Sequence, residues 1–191
     1  MTILARLTEK SWEPAPPPVE RERPSAGTVG MLAYFGVAVV MFALLVAAYL
    51  MRMGLHAGAD HVHDWKPMPD PPLLWINTFI LVASSVAWEA ARRMRDMPAA
   101  IAGSALGLLF LAGQLLLWKH YLAAGYYLSA NPANAFFYLL TALHGLHIMG
   151  GLFAAGRALA AASSRNIALC AVYWHFLLII WLVLAVLLLS T

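Results

Sequence analysis

Polar residues fall along this chain in clumps, and five long apolar runs lie between them: Thr28–Met51, Pro72–Ala91, Met97–Trp118, Ala133–Gly156 and Ile167–Leu189. A segment of roughly 20 apolar residues, rising 1.5 Å per residue as a helix, crosses the hydrocarbon of a bilayer. All five runs reach that length. The pattern therefore predicts an all-α polytopic membrane protein, an antiparallel bundle of five transmembrane helices. The first 26 residues do not fit the pattern. They are charged and proline-rich (EPAPPPVERERP) and carry no apolar stretch of the kind a signal peptide needs. Residues 1–26 read as a disordered or extended Pro-rich tail, and residues 27–191 as the transmembrane domain.

Composition agrees with the pattern. Hydrophobic residues make up 62% of the chain and charged residues only 11%, against about 25% charge in a soluble domain. The formal net charge is +3. No basic stripe with a solvated face is present, which argues against nucleic-acid binding. The single cysteine, Cys170, has no partner for an intrachain disulfide and reads as a small core residue.

Lysine and arginine in the connections set the orientation. Arg6, Lys10, Arg21, Arg23, Arg92, Arg93, Arg95, Arg157 and Arg165 fall on one side, and Arg52, Lys66 and Lys119 on the other. The asymmetry puts the N-terminus in the cytoplasm and the C-terminus outside.

The polar residues within the runs are few. His144 and His147 lie in the fourth run and His175 in the fifth. An imidazole in hydrocarbon is costly unless it has a partner or a ligand. Counted from the cytoplasmic ends, His147 sits about 13 Å deep and His175 about 12 Å. This matched depth makes them expected neighbours, with Gly145, Gly150 and Gly151 allowing close helix approach. Hydrogen bonding across helices is the favoured reading. Haem ligation from facing helices and a proton relay are the alternatives. Asn77 and Gln114 share a second depth, about 6 Å inside the outer surface, and are expected to bond across the helix interface. Glu89 is the only acidic residue within a run, and Arg92 and Arg93 follow it at i+3 and i+4. An ion pair is the favoured reading, with a proton-entry role as the alternative.

The outer connection holds His56, Asp60, His61, His63 and Asp64, which resembles a metal-binding tract but fixes no geometry. A solvated loop is the preferred reading there, so no metal is assigned. Trp65, Trp75, Trp118, Tyr121, Tyr126 and Tyr127 fall at outer ends of runs and predict an aromatic belt. No ligand motif, P-loop or nucleophile–base arrangement appears, so no catalytic residue is assigned.

Several stretches resemble subunit III of the haem–copper terminal oxidases, the cytochrome c and quinol oxidases of respiratory chains. Tyr173–Trp181, YWHFLLIIW, is similar to the family's YWHF signature, which places Tyr173, Trp174, His175, Phe176 and Trp181 in the motif. Phe136–Gly151, Pro72–Ser85, the segment around Gln114, and Phe42–Arg52 resemble further family segments, so the resemblance covers all five runs in order. The resemblance implies an accessory helical bundle beside catalytic subunit I. Haem and copper would sit in partner subunits, with no cofactor in this chain, phospholipid held between helices, and support for proton uptake. It also implies a multi-pass protein of the bacterial inner membrane. Long members have seven helices, and this chain corresponds to the last five. It departs from the family at Val37 and Ala38, where a Ser-Glu pair is common, and at Leu178, where an Asp is common. Glu89 lies one to two turns before the acid that long members carry near the end of this helix.

Three other classes stand beside this reading. A nitric oxide reductase accessory subunit shares the helical module. A membrane b-type cytochrome would use His144, His147 or His175. A transporter would need internal symmetry, which five spans cannot provide.

Overall fold

The computed structural model describes residues 25–54, 65, 69 and 72–189. The tail through residue 24 and the tract from His56 to Asp64 lie outside the described residues. Among the described residues five α-helices make up the fold: α1 Ala26–Gly54, α2 Pro72–Met94, α3 Met97–Ala123, α4 Pro132–Ala160 and α5 Ser164–Leu189. Each is long and apolar enough to cross a membrane, and no strand occurs among the described residues. The chain is an all-α, multi-pass membrane protein.

The helices outrun the apolar runs. α3 continues through Lys119 and His120 to Ala123, and α4 continues through Arg157 to Ala160. A helix satisfies its backbone internally, in lipid and in water alike, so it need not stop where the hydrocarbon stops. The ends are set by caps instead. At the end of α3, Gly125 takes φ +89°, and the Tyr126 N–H reaches the Tyr121 carbonyl at 3.0 Å. This left-handed residue suits glycine, and the bond satisfies a carbonyl that the helix would leave open. α4 starts on Asn131, whose side chain accepts from the Ala133 N–H at 3.0 Å, followed by Pro132 in the first turn.

Helices α2, α3, α4 and α5 form a closed ring in which each packs against the next and α5 returns to α2. Contacts between α2 and α5 pair Thr78 with Trp181, Ser85 with His175 and Trp88 with Trp174. One number rises as the other falls, so the two helices are antiparallel. Arg92, Arg93, Arg95, Arg157 and Arg165 therefore share one end of the bundle.

The ring is filled by Trp88, Phe110, Ile148, Trp174, Leu177 and Trp181, all essentially buried. Room for the indoles comes from glycines on α3. A Cβ at Gly103 would lie 2.7 Å from Trp88 Cδ1, and one at Gly107 would lie 2.9 Å from Trp174 Cζ2. Among the three glycines of the HGLHIMGG segment, Gly151 lies against Tyr173 and Trp174, Gly145 makes an ordinary contact with Leu111, and Gly150 faces open space. The close approach anticipated for the segment is thus concentrated at Gly151.

α1 stands outside the ring, against α4 and α5. It buries only Ala38, Phe42 and Tyr49. Rings hold it in place. Phe35 stacks on Phe176 with centroids 4.2 Å apart, Phe42 packs on His147 at 5.3 Å, and Tyr49 meets Phe136 edge-on at 5.5 Å. The aromatic residues at the far end of the bundle divide. Tyr121 is buried against Tyr126 and Phe137, whereas Trp75 and Tyr127 are exposed.

Candidate functional site

The polar chemistry of the described residues concentrates on the seam between α2 and α5. Trp181 Nε1 donates to Thr78 Oγ1 at 3.0 Å, and Trp174 Nε1 donates to Ser84 Oγ at 2.6 Å. Ser84 Oγ in turn donates to the Gly103 carbonyl at 2.6 Å, which ties α3 to the same point. Ser85 Oγ lies 2.6 Å from His175 Nδ1. Thr78 and Ser84 stand six residues apart on α2, and their indole partners Trp181 and Trp174 stand seven apart on α5, so the bonded positions recur at close to two turns along the facing sides of the two helices.

The seam ends in a charged cluster. Glu89 Oε1 accepts from Arg92 Nη2 and Arg93 Nε, each at 2.6 Å. Its Oε2 accepts from Arg92 Nε at 2.8 Å and faces His175 Nε2 at 3.2 Å. An ionised carboxylate only accepts, so His175 Nε2 carries the proton. Nδ1, on the other edge of the ring, meets the Ser85 hydroxyl. Side chains on a helix lean toward its N-terminus. In antiparallel α2 and α5 the leans of Glu89 and His175 converge, which closes a gap that their backbone heights alone leave open.

Asn77 and Gln114 meet between α2 and α3. Asn77 Nδ2 donates to Gln114 Oε1 at 3.3 Å and reaches the Phe110 carbonyl at 3.4 Å. The amide of Asn77 fills the space over Gly113, where any Cβ would collide with it.

The three histidines do not form one group. His144 points into the ring and has no exposed surface. Its imidazole lies 5.2 Å from Trp181, with Phe110 and Phe42 edge-on at 5.9 and 6.5 Å. Both ring nitrogens are buried without a hydrogen-bond partner among the described residues. His147 Nδ1 donates to the Leu143 carbonyl of its own helix at 2.7 Å, and its ring packs on Tyr34 and Phe42 of α1. His175 belongs to the Glu89 cluster. No hydrogen bond or ring contact joins His147 to His175 among the described residues. Equal depth set their height but not the side of the helix on which each stands.

Tyr173 links three helices. Its hydroxyl donates to the His147 carbonyl at 2.8 Å and lies 3.2 Å from the Tyr34 hydroxyl. Thr78, Ser84 and Ser85 escaped sequence reasoning. The available signal was the hydroxyls of Thr78, Ser84 and Ser85 on α2, six and seven residues apart, beside the seven-residue spacing of Trp174 and Trp181 on α5.

No protein-family model matches the chain. Similarity to individual proteins is extensive. The chain is 32% identical over 188 residues to cytochrome c oxidase subunit 3 of Thermostichus vulcanus, covering 87% of this chain and 88% of that protein. The chain belongs to the cytochrome c oxidase subunit 3 family. Within the same similarity fall a probable cytochrome c oxidase subunit 3 of Nocardia farcinica, 29% identical with 84% of this chain covered, and quinol oxidase subunit 3 of Bacillus subtilis, 25% identical with 88% of each chain covered. Three of the four side chains of Tyr173–Phe176, those of Tyr173, Trp174 and His175, make the cross-helix bonds described above.

Proposed function

We propose that this chain is the non-catalytic accessory subunit III of a respiratory haem–copper oxidase. The complex reduces O2 to water and pumps protons, with the haem and copper held in partner subunits. This chain packs against subunit I, stabilises it, holds phospholipid and supports proton uptake. The arginine-bearing end, with the tail of residues 1–26, faces the cytoplasm, and the C-terminus faces outward. The relatives include both cytochrome c and quinol oxidase subunits by name, so the electron donor is left unassigned.

One observation carries the non-catalytic reading. His144 is enclosed by Phe42, Phe110 and Trp181 in the packed ring, while His147 and His175 engage different neighbours. A bis-histidine haem needs two imidazoles across a porphyrin-sized gap, and these three supply no such pair. The Glu89–His175 cluster supports the proton-uptake part, because it is the one place in the described spans where a carboxylate and an imidazole meet.

A detergent pull-down of the full chain, with an optical spectrum and identification of its partners, tests the proposal. The expected result is a haem-bearing subunit I in the complex and no pigment on the separated chain. A Soret band on the separated chain would make it a b-type cytochrome. A nitric oxide reductase as the partner would reassign the complex.

A further inference from the structure

The amide pair between α2 and α3 leaves one arm unused. Asn77 Nδ2 donates both to the Phe110 carbonyl and to Gln114 Oε1. A carbonyl only accepts, so Asn77 turns its nitrogen to this point and Gln114 answers with its oxygen. Gln114 Nε2 is then the remaining arm, and it has no hydrogen-bond partner among the described residues. Gln114 is only 3% exposed. A donor left unmade in such a setting is costly, and an acceptor brought from outside would remove the cost.

Gln114 lines a cavity of about 490 Å³ between α3 and α4, a volume in the range of small-molecule sites. Its rim is apolar, with Leu115, Leu139, Leu146 and Met149 all exposed. The other polar side chains of the wall are engaged. Trp118 Nε1 donates to Thr141 Oγ1 at 3.1 Å, and Thr141 Oγ1 donates to the Phe137 carbonyl at 2.7 Å. The cavity therefore combines one unpaired amide nitrogen, a pinned indole and aliphatic surface.

An occupant must be apolar and must bring an acceptor. A lipid chain brings none, and ester groups stay at the interface, whereas Gln114 lies about 6 Å inside the apolar run. A water needs two to four polar partners and finds one. A packed helix keeps its backbone carbonyls for itself. A quinone dissolved in the bilayer is flat and apolar, and its polar atoms only accept. We propose that the α3–α4 cavity binds an oxidised prenylquinone, with one ring carbonyl accepting from Gln114 Nε2, the ring beside Trp118 and the tail along Leu146 and Met149. The reduced quinol would bring two hydroxyl donors to a wall whose side-chain oxygens are already bonded, so the site favours the oxidised form.

The test is equilibrium binding of decylubiquinone to the purified complex containing the full chain. Retained quinone is counted after extraction, and the ring-carbonyl stretch is read by infrared difference spectroscopy. The wild-type complex should bind the quinone with that band shifted to lower frequency, and should bind decylubiquinol about fivefold more weakly. Gln114→Leu should weaken quinone binding about tenfold, the worth of one hydrogen bond in an apolar site, and should abolish the band shift. Ala142→Phe fills the cavity without touching the Asn77–Gln114 pair, and it should cost the complex one equivalent of quinone. It decides the matter alone if Gln114→Leu fails to assemble. Val40→Phe, in the wholly apolar groove between α1 and α4, should change nothing. Unchanged quinone content in Ala142→Phe would place any bound quinone elsewhere in the complex and overturn the site. Equal affinity for quinone and quinol would overturn it too. Weaker assembly of Ala142→Phe with no quinone lost would overturn it in favour of a partner helix in the cavity.

Discussion

Trp174 of α5 and Ser84 of α2 are joined by a 2.6 Å hydrogen bond, and both are fully buried. Ser84 donates its own hydrogen bond to the Gly103 carbonyl of α3. One hydroxyl thus satisfies an indole N–H and a backbone oxygen and binds three helices at one point. Ser84→Ala would strand the indole N–H in an apolar core. A loss of about 1–3 kcal/mol is expected for such an orphaned donor. Thermal unfolding of the complex, followed by loss of α-helical circular dichroism, should register a lower midpoint. An unchanged midpoint would mean that the indole finds another acceptor.

Glycine on α3 is a packing requirement where the indoles cross it. A methyl at Gly103 would meet Trp88, and one at Gly107 would meet Trp174. Overpacking of this kind costs about 1–3 kcal/mol because the ring must leave its rotamer or the helices must part. Gly103→Ala and Gly107→Ala should therefore lower thermal stability. Gly36→Ala on α1 is the matched comparison, because a Cβ there meets nothing. Equal behaviour of the three variants would show that propensity, not the indoles, governs these positions.

The fold was legible and the azimuths were not. Run lengths alone reveal five spans, because a stretch of apolar residues measures the thickness of hydrocarbon directly. They miss the helix ends, since Lys119, His120 and Arg157 continue the helices past the apolar runs. Depth along the span located Asn77 near Gln114, where the two helices are adjacent. The same measure placed His147 beside His175, where it failed. Each residue turns a helix by about 100°, so height says nothing about facing direction without the packing partner. His144 and His147 illustrate this within one helix: three residues apart, one enters the ring and the other faces α1. The Glu89–Arg92–Arg93 ion pair was readable from i+3 and i+4 spacing, which is local. His175 joins it from another helix, through a long-range contact that spacing does not encode.

His175 and His147 should respond differently to loss. His175 bridges α5 to Ser85 and Glu89 of α2, whereas the hydrogen bond of His147 stays inside α4. His175→Ala removes a cross-helix partner and leaves the buried Ser85 hydroxyl without its imidazole partner. His147→Ala removes only a bond to its own backbone and part of the packing on α1. The expected order of stability in the complex is wild type, then His147→Ala, then His175→Ala. Protease accessibility of the α2–α3 turn gives a second readout, with faster cleavage in His175→Ala alone. The reverse order would mean that α1, not the α2–α5 seam, is the weak joint.

His144 offers the sharpest separation between packing and ligation. Its ring fills a fully buried site among Phe42, Phe110 and Trp181, and both nitrogens go unpartnered among the described residues. A polar group buried without a partner is itself a cost. His144→Phe keeps an aromatic ring in the site and removes the two unsatisfied nitrogens, so stability should hold or rise. His144→Ala opens a cavity among the same rings, and a loss of roughly 2–5 kcal/mol is expected from large-to-small changes in a packed core. Thermal unfolding of the two variants in the complex, with its optical spectrum recorded alongside, distinguishes the roles. A packing role predicts that Phe preserves stability and that haem content per complex is unchanged in both. Loss of stability or of haem absorbance in His144→Phe would instead require a hydrogen bond or a ligand at this imidazole.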